Sequence, residues 1–427
     1  MTATVQRKLQ TGTILLVVTL ITFLRMPELL LGPRFWCEEG IGYFANIRGS
    51  SFFEALLYLD YGYYNLFANL AAYAATLVPL EHAPTVTTYL SLMVQLAPYT
   101  IILTSRSVFW QGKLWKRLLA CLMLLLAPNT ADVWLSSIVG QYHFLVITFL
   151  ILLEDPHGHT PLRRTVYFLF LIVGGLSGPL SCFLTPLFAW QAWRERSRQR
   201  GWQSAILAAC AILHLTVMIA VPSATQTEPR MAHFDGMAFL HIFINRVIVT
   251  LFLGVNVAEW VGHYLFRLND GSVRALLAGL FSGCLGIGMI AYLTREGRAE
   301  FRIRLAGGLF LIFTLSVIGA MGDKRGMILG GIAQRYFFVP GFIVCLLLLG
   351  ALENPKVRRW PLRLLVLAFA LTATLSFRSN LAHFQYGASW REQVLQWRRQ
   401  PELPLEVWPQ WREGNLMTLE PLPSDST

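Results

Sequence analysis

Apolar runs separated by short polar segments extend along most of the chain, from residue 13 to residue 377. A helix needs ~20 apolar residues to cross the hydrocarbon core of a bilayer, and many of these runs approach that length. Residues 378–427 are instead mixed in charge and rich in tryptophan. The pattern predicts an all-α, polytopic transmembrane helical bundle of about ten to twelve spans in residues 1–377, followed by a small exterior appendage in residues 378–427.

Several apolar runs are too short for a straight crossing, which predicts a bundle that contains short helices. Residues 118–127 and 142–153 are the clearest of these runs. The run 165–193 is interrupted by Leu176-Ser177-Gly178-Pro179 and has basic residues at both ends. We interpret it as a segment that rises and returns, although a single span with a proline kink is also compatible with the sequence.

Two parts of the predicted topology stay open. The runs 63–78 and 86–103 must together make an odd number of crossings, so one of them is expected to be re-entrant unless the loop assignment is wrong. The segment 237–274 must begin and end on the exterior side, either as a tight hairpin or as a helix in the interface.

Basic residues cluster between the apolar runs, at 106–117, 163–164, 194–200, 295–304 and 356–363. Cytoplasmic loops of membrane proteins carry such an excess of Lys and Arg. The clusters predict a multi-pass protein of the bacterial inner membrane with a cytoplasmic N-terminus, an uncleaved first span and an exterior C-terminal tail.

Composition supports the membrane class. The chain of 427 residues is 55% hydrophobic and 14% charged, and its mean hydropathy of +0.51 excludes an ordinary soluble protein. Its net charge of +11 lies in the loop clusters, so no nucleic-acid partner is expected. All cysteines except Cys37 fall in apolar runs, and none has zinc-ligand spacing.

Two adjacent carboxylates, Glu38 and Glu39, lie in the predicted first exterior loop, residues 32–62. The short amphipathic stretch 51–59 follows them and is suited to the membrane surface. A carboxylate held there could accept a proton from a hydroxyl group during group transfer. The alternative is an ordinary loop acid that pairs with Arg34 or Arg48.

A second set of polar residues is predicted at the exterior ends of the short helices, around Asn129, Gln141 and His143. Short helices leave a water-accessible space above them, which these side chains could line, although a lone histidine is more often structural. A third set comprises Lys324, Arg325, Arg335 and Tyr336. Exterior cations beside a span suit a phosphate or pyrophosphate, or alternatively lipid headgroups and exterior acids.

The tail carries Trp390, Trp397, Trp408 and Trp411. Indoles stack on sugars and anchor chains at interfaces, but packing of a small domain is the favoured interpretation here. Walker A, HExxH and GxSxG motifs do not occur in the sequence, which argues against an ATPase, a zinc protease and an ordinary serine hydrolase.

The run Trp36-Cys37-Glu38-Glu39-Gly40, the amphipathic stretch after it and the short helices resemble the GT-C superfamily of membrane glycosyltransferases. The family's acidic pair usually contains an aspartate, whereas both positions are glutamate here. Arg335-Tyr336 resembles the basic and aromatic position near the carrier phosphate. The resemblance implies a sugar drawn from a polyprenyl-phosphate carrier and passed to a glycan, lipid or protein acceptor at the exterior face.

That resemblance assigns roles to the candidate residues. Glu38 or Glu39 would be the general base of an inverting hexosyl- or pentosyltransferase of the cell envelope, and Lys324, Arg325 and Arg335 would hold the leaving phosphate. Hydroxyl groups of the sugar or acceptor would be bound by the remaining polar candidates: Asp60, Asn129, Gln141 and His143. No cofactor is required by the sequence, although a divalent cation stays open.

Two other functions remain compatible with the sequence. A flippase or transporter of lipid-linked glycans would place polar residues at mid-membrane and contain a repeat, neither of which is visible. A non-catalytic partner in polysaccharide assembly would keep the fold and tolerate loss of the carboxylates.

Overall fold

The computed structural model describes residues 3–60, 62–110, 113–128, 133–156, 158–220, 236–268, 273–295, 299–320, 325–329, 333–353, 359–378, 389–408 and 415–422. These residues are mostly helical, as the hydrophobic pattern predicts, and the few strands form two short hairpins. The sequence-based prediction of an all-α transmembrane bundle is therefore confirmed.

The helices of the first half are α1 (Ala3–Arg25), α2 (Pro27–Leu31), α3 (Ala45–Ile47), α4 (Phe52–Leu56), α5 (Leu66–Thr76), α6 (Ala83–Thr104), α7 (Leu114–Leu125), α8 (Gly140–Leu153), α9 (Pro161–Leu176), α10 (Thr185–Glu195) and α11 (Arg198–Ala220). Those of the second half are α12 (Gly236–Ile242), α13 (Thr250–Leu253), α14 (Val255–Leu268), α15 (Val273–Thr294), α16 (Ala299–Gly319), α17 (Arg335–Leu352), α18 (Arg359–Leu375) and α19 (Trp390–Arg399).

The remaining elements are short. Two π-helices span Glu39–Phe44 and Phe243–Val249, and 3-10 turns span Leu80–His82, Val108–Trp110, Pro179–Leu184 and Arg325–Ile328. Strand β1 (Leu59–Asp60) pairs antiparallel with β2 (Tyr63–Tyr64), and β3 (Leu405–Glu406) pairs antiparallel with β4 (Leu416–Met417).

Six helices within the described residues are long and apolar enough to cross a bilayer, so the chain is a multi-pass membrane protein. They span Leu80–Thr104, Arg198–Ala220, Gly236–Leu253, Leu276–Thr294, Glu300–Gly319 and Arg335–Leu352. Shorter apolar helices lie among them, including Gly140–Leu153, as the short runs of the sequence predict.

The interrupted run 165–193 rises and returns. Thr160 caps α9, which ends at Leu176, and the next α-helix begins only at Thr185, after the Pro179–Leu184 3-10 turn. The residues that flank the run meet at Glu154: Arg163 forms an ion pair with its carboxylate at 3.2 Å, and Arg200 donates to its carbonyl. Both ends of the run therefore lie on one side of the bundle, as a return requires.

Helix α5 resolves the odd number of crossings. Its 11 residues extend only about 16 Å, half of the hydrocarbon thickness. The side chain of its N-cap, Asn65, donates to the carbonyl of Ile138, and beyond its end the carbonyl of Leu80 accepts from Trp390 in the tail. We therefore assign the re-entrant segment to α5 and the crossing to α6.

The described part of the segment 237–274 contains two helical stretches that pack against each other as a hairpin. Residues Gly236–Leu253 form a continuous helical run of membrane length. Gly254, with φ +91°, reverses the chain into α14. The packing of α14 against the Phe243–Val249 π-helix and α13 closes the hairpin.

One end of the bundle carries a cluster of Lys and Arg side chains paired with glutamates. Lys113 and Lys116 bind Glu353 at the end of α17, at 3.2 and 3.1 Å, and Arg304 binds Glu195 at the end of α10, at 2.7 Å. The Glu154 cluster, at the C-terminal end of α8 and the N-terminal end of α9, lies on the same face, since Arg200 contacts both Glu154 and Glu195. This basic face matches the charge excess of cytoplasmic loops.

Reagent accessibility tests this orientation. In a background without the native cysteines, we expect a membrane-impermeant maleimide added to sealed right-side-out vesicles to label a Glu420→Cys variant and to label an Arg106→Cys variant only after permeabilisation. Both parent side chains are exposed, and they lie in the tail and on the basic face, respectively. Labelling of both variants in sealed vesicles would contradict the assignment.

The tail shares a small second core with the first loop. Phe35 stacks on Phe44 with ring centroids 4.5 Å apart, and Trp390 meets Phe35 edge-on at 5.3 Å. Trp390, Trp397 and Trp408 are all at least 96% buried, so these tryptophans pack the tail as expected. Trp411 lies outside the described residues.

Candidate functional site

A cavity of about 800 Å³ lies at the end of the bundle opposite the basic face. Helix α8 runs from Gln141 at the cavity to Glu154 on the basic face, and α17 runs from Arg335 at the cavity to Glu353. Polar side chains and tyrosines form one part of its lining: Glu38, Tyr63, Gln141, Tyr142, Arg335 and Tyr336. The rest of the lining is mainly apolar and includes Leu180, Phe183, Ala211, Leu215, Met218 and Leu315. The cavity is therefore amphiphilic.

Glu38 directly precedes the π-helix and lines the cavity. Its Oε2 accepts a 2.5 Å hydrogen bond from Trp36 Nε1, which fixes the orientation of the carboxylate. The side chain is half-buried. Glu38 is thus an oriented carboxylate next to a space large enough for a substrate.

Glu39 is 1% exposed and points into the protein. It accepts hydrogen bonds from the backbone N–H of Ser137 at 2.7 Å, from the Ser137 hydroxyl, and from the backbone N–H of Trp36 at 3.3 Å. Burial raises the pKa of this carboxyl, and the hydrogen bonds oppose that shift. Glu39 therefore joins the first loop to residues 133–140, and the two glutamates differ in environment.

Arg335 begins α17 and supplies the positive charge of the lining. Its guanidinium lies 5.6 Å from the ring centroid of Tyr336, which in turn meets Tyr142 edge-on at 6.1 Å. The N-terminus of a helix and a guanidinium both favour a bound anion. This end of the cavity is suited to a phosphate group.

The Tyr63 hydroxyl lies near both Glu38 and Arg335. Gln141 Nε2 donates to its hydroxyl at 3.3 Å, and burial raises the pKa of Tyr63 to about 12, so the hydroxyl is protonated near neutral pH. The charge of Arg335 lowers this pKa and that of Glu38 raises it, so both charges lie within electrostatic range of one hydroxyl. The Glu38 carboxylate and the Arg335 guanidinium therefore belong to the same site.

The absence of a side chain at Gly178 leaves room for the Gln141 carboxamide. Gly178 has φ +103°, and a Cβ at this position would collide with the Gln141 carboxamide, with Cδ at 3.0 Å. Only glycine combines this backbone conformation with so close an approach. The Leu176–Pro179 interruption thus brings the end of α9 to the cavity.

A Gly178→Ala substitution is expected to lower the free energy of unfolding by about 3 kcal/mol, because it adds backbone strain and displaces Gln141. Gly158→Ala is the matched control, since Gly158 has φ +83° but open space around a Cβ. We expect the control to lose only about 1 kcal/mol. Thermal unfolding in detergent measures both; equal losses would show that Gln141 does not constrain residue 178.

The other predicted site residues are placed differently. Asp60 is the cross-strand partner of Tyr63 and lies beside the cavity lining. His143 is 5% exposed, its Nε2 lies 2.9 Å from the Val133 carbonyl, and its ring packs on Phe338 at 5.6 Å. This is the placement of a structural histidine, so the structure does not bring His143 to the site.

Part of the predicted site lies outside the described residues. Asn129 and Lys324 belong to that part, and only the backbone of Arg325 is described, at the start of a 3-10 turn. Within the described residues, no group of three or more His, Cys, Asp or Glu side chains could hold a metal ion. The divalent cation stays an open prediction.

The alternative partners proposed for the acidic pair contact the tail. Arg34 lies 4.9 Å above the Trp408 ring, and burial lowers the pKa of Arg34. Arg48 donates to the Glu420 carbonyl at 3.0 Å and lies over Trp397.

Sequence reasoning missed Trp36, Tyr63, Tyr142 and Gly178 as site residues. Tyr63 and Tyr142 each adjoin a predicted polar position, Asp60 or Gln141, and polar-aromatic neighbours of this kind could have indicated them. The contact between Gly178 and Gln141 left no local signal, because it joins two distant segments.

The fold and the cavity define a multi-pass helical membrane protein with an amphiphilic site at one end of the bundle. No protein-family model matches the chain, and no curated protein or solved structure is significantly similar to it.

Proposed function

We propose that the protein is an inverting glycosyltransferase of the GT-C type, which moves a sugar from a polyprenyl-phosphate carrier to an acceptor at the exterior face of a bacterial inner membrane. The observation that carries this proposal is the single cavity lined by both Glu38 and Arg335. A carboxylate, a guanidinium and an apolar wall are the groups needed for an acceptor hydroxyl, a phosphate and a lipid tail, respectively.

The apolar lining of the cavity supports a lipid-linked donor. Leu215 and Met218 line the cavity and are 58% and 36% exposed, on a helix that is only 22% buried in its membrane-length window. Their outer surfaces face the hydrocarbon of the bilayer. A prenyl chain could therefore pass beside α11 while its phosphate stays near Arg335.

The proposed reaction is a single displacement at the anomeric carbon. The acceptor oxygen forms a bond to that carbon, the bond to the carrier phosphate oxygen breaks, and the configuration inverts. Glu38 takes the proton of the acceptor hydroxyl. Arg335 stabilises the negative charge on the departing polyprenyl phosphate, and Tyr63 and Gln141 are in place to bind hydroxyl groups.

The direction of the site follows from the basic face. Since that face matches a cytoplasmic side, the cavity and the tail are exterior in this proposal. The acceptor is then a glycan, lipid or protein of the cell envelope.

Proteoliposomes test the proposal against its rivals. We expect the protein, supplied with a radiolabelled polyprenyl-phosphate hexose or pentose and an envelope extract as acceptor source, to release free polyprenyl phosphate and a labelled product. Movement of intact donor across the bilayer would favour a flippase. Binding of donor with neither movement nor cleavage would favour a non-catalytic assembly partner.

A further inference from the structure

The C-terminal tail reaches the backbone on both sides of Trp36. The Cys37 N–H donates to the Trp408 carbonyl at 2.5 Å, and the Trp408 N–H donates to the Phe35 carbonyl at 2.9 Å. These two bonds form a parallel bridge between Trp36 and Trp408. The bridge lies immediately before Glu38.

Side chains strengthen the same junction. Cys37 Sγ donates to Asn415 Oδ1 at 3.1 Å. Gly40 packs closely on the tail: a Cβ there would lie 2.9 Å from Val407 Cγ1 and 3.4 Å from Met417 Sδ, as well as 3.0 Å from Cβ of Phe35 in the first loop. Tail residues therefore hold the loop on both sides of Glu38.

We propose that the tail, residues 389–408 and 415–422, is a positioning element that fixes Glu38 for proton transfer; this rests on the function proposed above. Trp408 sets the backbone of Trp36, and the Trp36 indole donates to the Glu38 carboxylate. Val407 and Met417 set the start of the π-helix at Gly40. In this proposal the tail helps to position a residue of the site and is not a separate domain.

A Gly40→Ala variant tests the positioning. The added methyl group has to displace Val407, which loosens the junction and misplaces Glu38. We expect transfer to fall at least about tenfold in kcat with little change in KM for the carrier-linked donor, because the Arg335 end is untouched. Adding Val407→Ala removes the nearest of these contacts, while Phe35 Cβ remains, and is expected to restore part of the loss.

Gly32→Ala is the matched control. A Cβ at Gly32 has only one neighbour, the Glu28 carbonyl at 3.6 Å, and φ is −134°. This variant is expected to keep the wild-type kcat.

A second measurement needs no transfer assay. Mass spectrometry of the Cys37 peptide gives the rate at which a soluble maleimide modifies the thiol, and this rate shows how open the junction is. We expect a rise of at least about tenfold in Gly40→Ala and a return toward the wild-type rate in Gly40→Ala/Val407→Ala, since opening exposes the thiol. An unchanged rate in Gly40→Ala would overturn the proposed role of the tail in holding this junction closed.

The two readouts separate the proposals. Faster labelling with unchanged kcat would show that the tail does not position Glu38, which overturns this inference alone. If the labelling pattern is as expected but the wild-type protein transfers no sugar, the proposed function is wrong. The catalytic role assigned to the junction then fails as well, although the junction itself is still supported.

Discussion

A Glu38→Gln variant is expected to lose about 10²- to 10⁴-fold in the rate of sugar transfer, the usual contribution of a general base. Glutamine is nearly isosteric and can still accept the Trp36 Nε1 hydrogen bond, so the fold and the donor affinity are expected to persist. The measurement is kcat for transfer from a labelled polyprenyl-phosphate sugar, with thermal unfolding as the check on folding.

Glu39→Gln is the matched comparison. Its amide NH₂ group would take the place of one carboxylate oxygen and would face the N–H donor of either Ser137 or Trp36, so the loss is expected in the free energy of unfolding, by about 1–3 kcal/mol. Transfer per folded molecule should fall far less than in Glu38→Gln. The base assignment is wrong if Glu38→Gln transfers sugar at the wild-type rate.

An Arg335→Gln variant is expected to weaken binding of polyprenyl phosphate by about 10- to 100-fold, because a charge-assisted hydrogen bond to phosphate contributes roughly 1.5–3 kcal/mol. Arg335→Lys keeps the charge but not the planar fork and should retain part of the affinity. Titration of the protein in nanodiscs with polyprenyl phosphate, at fixed ionic strength, measures the change.

Arg378→Gln is the control for a general loss of positive charge at the surface of the protein. Arg378 is half-exposed and pairs with Glu28 at 2.6 Å, away from the cavity lining. Such surface pairs contribute little, so affinity for the lipid should not change. Equal weakening by the two variants would mean that Arg335 acts only through surface charge.

The sequence was a good guide to the helices because the bilayer demands long apolar runs and internally satisfied backbone. Helix α8, the return between α9 and α10, and the buried tail tryptophans all match expectations from composition and length. The number of crossings required one re-entrant segment, but the sequence could not show that it is α5, because the residues of α5 are as apolar as those of a crossing helix.

The site was only partly visible in the sequence. Glu38, Gln141, Arg335 and Tyr336 stand out as polar or paired positions, and they line one cavity. Adjacent carboxylates cannot be told apart by sequence, because the contact with Ser137, 98 positions away, decides which glutamate is buried. Tail contacts at Gly40 arise from the same long-range folding and leave no local pattern.

Electron cryomicroscopy of the protein with bound polyprenyl phosphate tests the central claim most directly, namely that Glu38 and Arg335 face one lipid-phosphate substrate. Phosphate density is expected within hydrogen-bonding distance of the Arg335 guanidinium and beside Glu38, with the prenyl chain leaving between α11 and α16. Density for the lipid at any other site, with the cavity empty, would contradict the account.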